Sequence, residues 1–165
     1  MAVFSVLGAI MLISKLVMEA LPNIHLLGML TVAYTAVFRF RALIPIYIYV
    51  FLNGLLAGFT FWWMPYLYIW TILWALTMLV PRSLPTSVKC IVYPILTGLH
   101  GFAFGTLYAP AQALMFGLNF EQMLAWIVAG LPFDLIHGIG NLIAGLLCFP
   151  LSELLGRLAR RQGIA

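Results

Sequence analysis

The sequence predicts an all-α integral membrane protein: one domain over residues 1–165, built of six transmembrane helices with both termini cytoplasmic. Three observations predict it. Apolar residues make up 65% of the chain and charged ones 7%, with a mean hydropathy of +1.12, whereas a soluble domain carries roughly a quarter charged residues. The apolar runs are long enough for about six crossings of roughly 20 residues each. The cations also sort by side. With six crossings, Arg39, Arg41, Arg82, Lys89, Arg157, Arg160 and Arg161 all fall on one side, and the three opposite loops hold no Lys or Arg. An excess of loop cations marks the cytoplasmic face.

The spans are expected at about 3–21, 24–38, 42–61, 67–80, 90–108 and 123–150. The first is closed by Pro22-Asn23, and the second ends at Arg39-Phe40-Arg41. The third has Pro45 in its first turn and a Gly54-xxx-Gly58 pair. An aromatic connector, Trp62-Trp63-Met64-Pro65-Tyr66, leads to the fourth, which Pro81-Arg82 stops. A longer connector over 109–122 separates the fifth from the sixth, and a basic tail follows. The first span lacks a preceding basic region and carries Lys15 and Glu19, so it is expected to be retained as a helix, not cleaved as a signal. Those two residues, one helical turn apart, are expected to pair.

Composition excludes several function classes. The net charge of +4 sits in short inter-helix segments and does not indicate nucleic-acid binding. Cys90 and Cys148 are too few for a disulfide framework. No phosphate-cradling loop, H-E-x-x-H or G-x-S-x-G pattern occurs, so no ATP hydrolysis, metal or cofactor is expected of the chain itself.

The stretch that carries chemistry is 131–141, LPFDLIHGIGN. Asp134, His137 and Asn141 stand at i, i+3 and i+7, which on a helix sets them on one face. Apolar runs lie on both sides, so this face must look into the protein or a water-filled cavity, where an ionisable group is a functional-site hypothesis. Pro132 predicts a kink beside it. Asp134 lies about 17 residues from the inner end of the sixth span, roughly 25 Å at the helical rise. That depth predicts a capture cavity opening outward, lidded by the aromatics of the third loop.

The expected substrate-binding residues are Asp134, His137, Asn141, Trp62, Trp63, Tyr66, Trp70 and His100. The alternatives are internal pairing among Asp134, His137 and Asn141, an ordinary interfacial belt for Trp62, Trp63, Tyr66, Tyr68 and Trp70, and a close helix contact through Gly98, Gly101 and Gly105 with His100 bonded across it. His25 is expected to be a solvated helix-end residue.

Pro132, Asp134 and His137 carry a resemblance. The length, the six spans and a last-span Pro, then Asp, then a residue three further on resemble the substrate-binding S component of energy-coupling factor (ECF) vitamin transporters, where that third residue is often Lys. The resemblance implies an S-component-like bundle without catalysis of its own. It implies capture of a vitamin from outside, docking on a transmembrane T subunit with two ATPase subunits, and toppling in the lipid bilayer to release it. It also implies a docking face of small residues on the first span, here Ser5, Gly8 and Ala9. His137 in place of Lys disfavours a strongly anionic substrate. A neutral or weakly charged heteroaromatic ligand is expected instead. Two other classes stay open: a small intramembrane enzyme using Asp134 and His137, and a structural assembly subunit.

Overall fold

The computed structural model describes residues 2–164 and is all-helical, with no strand among them. Eight α-helices follow in order: α1 (Ala2–Val17), α2 (Leu27–Phe38), α3 (Leu43–Ala57), α4 (Tyr66–Met78), α5 (Thr86–Phe102), α6 (Phe104–Phe116), α7 (Phe120–Gly145) and α8 (Cys148–Arg161). Short 3-10 turns occupy Arg39–Ala42 and Phe61–Trp63. Three helical stretches are long and apolar enough to cross a membrane: Leu27–Ala57, Thr86–Phe116 and Phe120–Gly145.

The first of these is two helices, α2 and α3, joined by a reversal at Arg39–Ala42 and each lying against α1. The Tyr34 hydroxyl donates to the Leu7 carbonyl at 3.3 Å, and Phe4 packs edge-on against Phe38. One residue along α1, Gly8 lies against Ile48 and Pro45. A straight helix would hold Tyr34 and Ile48 about 21 Å apart, yet both are level with the same turn of α1. The reversal is at Arg39, which takes a positive φ of 53°. With ψ at −120° it lies outside the left-handed helical basin, a conformation that costs a non-glycine residue about 1–3 kcal/mol, and its side chain explains why it holds. The Arg39 guanidinium donates to the carbonyls of Met78 and Val80 at the end of α4, supplying a cation and donors where a helix leaves carbonyls unpaired. Trp74 Nε1 closes the corner by donating to the Arg39 carbonyl at 3.0 Å.

α2 is the centre of the bundle, with ten of its twelve residues buried. It is covered by α1, α4, α5, α7 and α8. α7 is the opposite case. Only Asp134, His137, Gly138, Asn141 and Gly145 are buried along its 26 residues, and the rest of its perimeter is exposed and largely apolar. α5 and α7 run antiparallel in close contact: Thr97 Oγ1 donates to the Asn141 carbonyl at 3.1 Å. A Cβ on Gly101 would lie 2.8 Å from the His137 carbonyl, and one on Gly138 would enter the Phe102 ring. The expected close contact through the glycine row is therefore present, made to α7.

Several boundaries differ from expectation. Helix continues from Phe104 through Pro110 to Phe116, where a connector over 109–122 was expected. The Ala, Leu, Met and Gln residues there are strong helix formers, and they outweigh one proline. The last predicted span is broken at Leu146 and Leu147, and the basic tail forms α8, whose buried Cys148, Ser152, Gly156 and Ala159 share one face. One end of the bundle collects the cations. Besides Arg39, Arg82 donates to the Val37 carbonyl at 2.8 Å, Arg41 to Ile164 at 3.4 Å, and Lys89 to Arg82 at 2.7 Å. At the other end Lys15 and Glu19 form the expected ion pair at 2.9 Å.

Candidate functional site

α5 stops at Phe102 and α6 starts at Phe104, so the N–H groups of the first turn of α6 have no intrahelical acceptor. Asp134 answers this from α7. Both its carboxylate oxygens accept the Gly105 N–H, at 2.9 and 3.1 Å, at the positive end of the α6 dipole. A side chain at position 105 would collide with the carboxylate. Glycine is what lets the two helices meet there.

The predicted buried face of α7 is present: Asp134 is 6% exposed, His137 4% and Asn141 1%. The three do not hydrogen-bond to one another. His137 instead enters an aromatic ring cluster drawn from five segments. Its imidazole centroid is 4.6 Å from Phe104 of α6 and 4.6 Å from His25 of the connector between α1 and α2. His25 stands 5.8 Å from Trp70 of α4, and Trp70 stands 5.7 Å from His100 of α5. His100 and Phe104, 6.2 Å apart, complete the circuit.

The polar atoms of this cluster are mostly unspent. His25 Nδ1, Trp70 Nε1, His100 Nδ1 and His137 Nε2 are buried without a hydrogen-bond partner among the described residues, as are both amide atoms of Asn141 one turn along α7. Such groups are ordinarily paired, and each one left alone costs about 1–3 kcal/mol. His100 Nε2 lies 3.1 Å from the Ile69 carbonyl. A carbonyl only accepts, so Nε2 carries the proton and Nδ1 is left as a bare acceptor. Trp70 Nε1 is a donor only. The cluster therefore presents at least one acceptor and one donor among aromatic rings that meet edge-on or tilted.

The other expected residues divide. Tyr66 reaches the cluster, 6.1 Å from Trp70 and 6.4 Å from Phe104. Trp62 reaches it indirectly, with its ring 5.7 Å from Tyr66 and its carbonyl accepting from the Tyr108 hydroxyl at 3.0 Å. Trp63 turns away, donating to the Val50 carbonyl at 2.8 Å and meeting Phe59 edge-on. His100 bonds to α4, not across the glycine row to α7. The outward cavity expected before Asp134 is filled by packed rings, with Trp70 1% exposed. Two surface grooves flank Asp134 instead. One of about 350 Å³ lies beside Tyr108 and Trp126, and one of about 630 Å³ lies beside Phe102 and Leu131. Of the expected docking residues, Gly8 is buried against Ile48 of α3, so it serves the internal contact; Ser5 is exposed and Ala9 half-buried.

Two cluster members escaped the sequence reading. His25 is half-buried with its Nδ1 enclosed and its ring against Trp70 and His137, where a solvated residue was expected, because Asn23 at φ 59° turns the chain back after Pro22. A Pro-Asn pair is a turn signal, since Asn tolerates the left-handed region, and it could have directed attention to the residue after it. Phe104 had no signal, because its position depends on the break at Ala103.

No metal-binding group of three or more His, Cys, Asp or Glu side chains occurs among the described residues. Compared with family models, curated proteins and solved structures, the chain matches none of them.

Proposed function

We propose that the chain is a substrate-capture subunit of an ECF-type importer, an S component lying in the cell membrane with six crossings and cytoplasmic termini. It takes up a vitamin-like, neutral or weakly charged heteroaromatic molecule from the extracellular side and hands it inward by toppling on a T subunit with two ATPases. The observation that carries this reading is the convergence of four unpartnered ring nitrogens, on His25, Trp70, His100 and His137, from four separate segments. Flat aromatic walls with a few convergent donors and acceptors suit a heterocycle. An incoming ring with an N–H and a carbonyl would satisfy His100 Nδ1 and Trp70 Nε1, stack between Phe104, Trp70 and Tyr66, and relieve the cost of leaving those atoms alone. Entry requires the rings to part, and His25 on the irregular connector is the member held by the least helix.

Capture is favoured over acid–base catalysis by the Asp134 geometry. Its carboxylate is spent on Gly105 N–H, and no described hydrogen bond couples it to His137. The outward face of α1, with Ser5, Ala9 and exposed Val6 and Ile10, remains open to the T subunit.

The test is mass spectrometry of small molecules that co-purify with the detergent-solubilised chain, wild type beside His137→Phe and Asp134→Asn. The expected result is one heterocycle at 1:1 in wild type, lost in His137→Phe, with thermal stabilisation when it is added back. Empty preparations that no pool of vitamins stabilises, or conversion of an added heterocycle to product, would overturn it.

A further inference from the structure

The basic end holds a second cavity, unrelated to the histidine cluster. It has a volume of about 370 Å³ and lies where α2, α5, α8 and the connector between α4 and α5 meet. Arg82, Lys89 and Arg160 line it from three different segments, against a single carboxylate, Glu153. None of the three makes a direct ion pair: Lys15–Glu19 is the one such pair among the described residues. Arg82 and Lys89 are held in place by one carbonyl each, Val37 and Arg82 respectively, which leaves their remaining N–H groups unassigned. Arg160 folds back over Gly156, its Nη1 3.5 Å from where a Cβ would stand.

α5 adds to the same potential. It begins at this end with no acidic residue in its first turn and no side-chain cap, and Lys89 sits four residues into it. A cation there opposes the helix dipole, an arrangement that an anion would reverse. The remaining walls include Tyr93 and Phe149, so the lining mixes cationic with aromatic groups.

We propose that this cavity binds a phosphate group, with Lys89 and Arg160 as its principal ligands and Arg82 at its rim. Guanidinium and ammonium groups converging between helices on a positively charged face match the headgroup of an acidic phospholipid. The mixed lining accommodates the glycerol end of such a lipid. A soluble phosphate offers the same anion to the same donors.

Native mass spectrometry of the full chain in mild detergent, titrated with phosphatidylglycerol or phosphatidylcholine, tests the site. Wild type should retain phosphatidylglycerol in preference to phosphatidylcholine. Lys89→Gln with Arg160→Gln should weaken that retention about thirtyfold. Arg161→Gln, which removes a charge outside the cavity, should leave it near wild type. Lys89→Arg keeps the charge and should retain the lipid, which separates lost binding from lost folding. Inorganic phosphate decides the source: displacement of the lipid with matching thermal stabilisation marks a soluble phosphate ligand, and no displacement marks the headgroup. Equal retention of the two lipids, or an equal loss in Arg161→Gln, would overturn the site.

Discussion

The basic end and the central cluster treat polar groups in opposite ways. At the basic end Arg39, Arg41, Arg82 and Lys89 each hold a main-chain carbonyl, and every bond ties one element to another. In the centre, four ring nitrogens and the Asn141 amide hold nothing among the described residues. Polar groups that fix a fold each spend at least one bond on it. Groups that the fold buries and leaves unsatisfied lower its stability, and they persist where something else can use them. Asp134 belongs with the first set although it lies beside the second, because its two oxygens are engaged by Gly105.

Substitutions can break or sharpen this contrast. The largest loss is expected for Arg39→Ala, which removes both bonds to the end of α4 and leaves the left-handed reversal unsupported. About 2–4 kcal/mol of stability should go, read as a fall of several degrees in the detergent melting temperature. A wild-type melting curve would remove the structural role assigned to the basic end. Next, Asp134→Ala leaves the buried Gly105 N–H unpaired and should cost about 1–3 kcal/mol, with Asp134→Asn recovering part of it. If Asn and Ala melt alike, the carboxylate is not capping α6. Lys15→Met removes an exposed i,i+4 pair and should shift stability by less than about 0.5 kcal/mol, an effect that salt would erase. The smallest stability change is expected for His137→Phe. It exchanges an unsatisfied imidazole for an apolar ring of similar shape, so melting should stay level or rise slightly, while co-purified ligand disappears. A clear loss of stability in His137→Phe would mean that the imidazole is structural, and the contrast between centre and end would fail.

The legible parts of the sequence were those written in local pattern. Helix followed from sustained apolar runs. The buried face of α7 followed from Asp134, His137 and Asn141 at i, i+3 and i+7, since any helix through that stretch carries them on one side. The glycine row of α5 likewise announced a close contact. What stayed hidden depends on contacts between segments far apart in the chain. His25 joins the cluster through a turn at Asn23, and Trp63 leaves it through a bond to Val50. Gly8 looked like part of an outward stripe because spacing alone does not say which side of α1 faces α3. The helix through Pro110 lay hidden in the segment expected to be a connector, because what holds it together is the run of helix formers around the proline.

The contact between Asp134 and Gly105 has a mechanical consequence. One N–H shared almost evenly between two carboxylate oxygens, at 2.9 and 3.1 Å, is a ball joint more than a clamp. At Ala103 the helical ladder thins: Ala103 N–H still reaches the Leu99 carbonyl and Leu107 N–H the Ala103 carbonyl, while the Gly105 N–H between them turns to Asp134. Phe104, which closes the ring circuit, rides on α6 one residue from the pivot. The contact that caps α6 and the ring that faces His137 at 4.6 Å are therefore neighbours in sequence, so any change at Asp134 is felt first at the wall of the cluster.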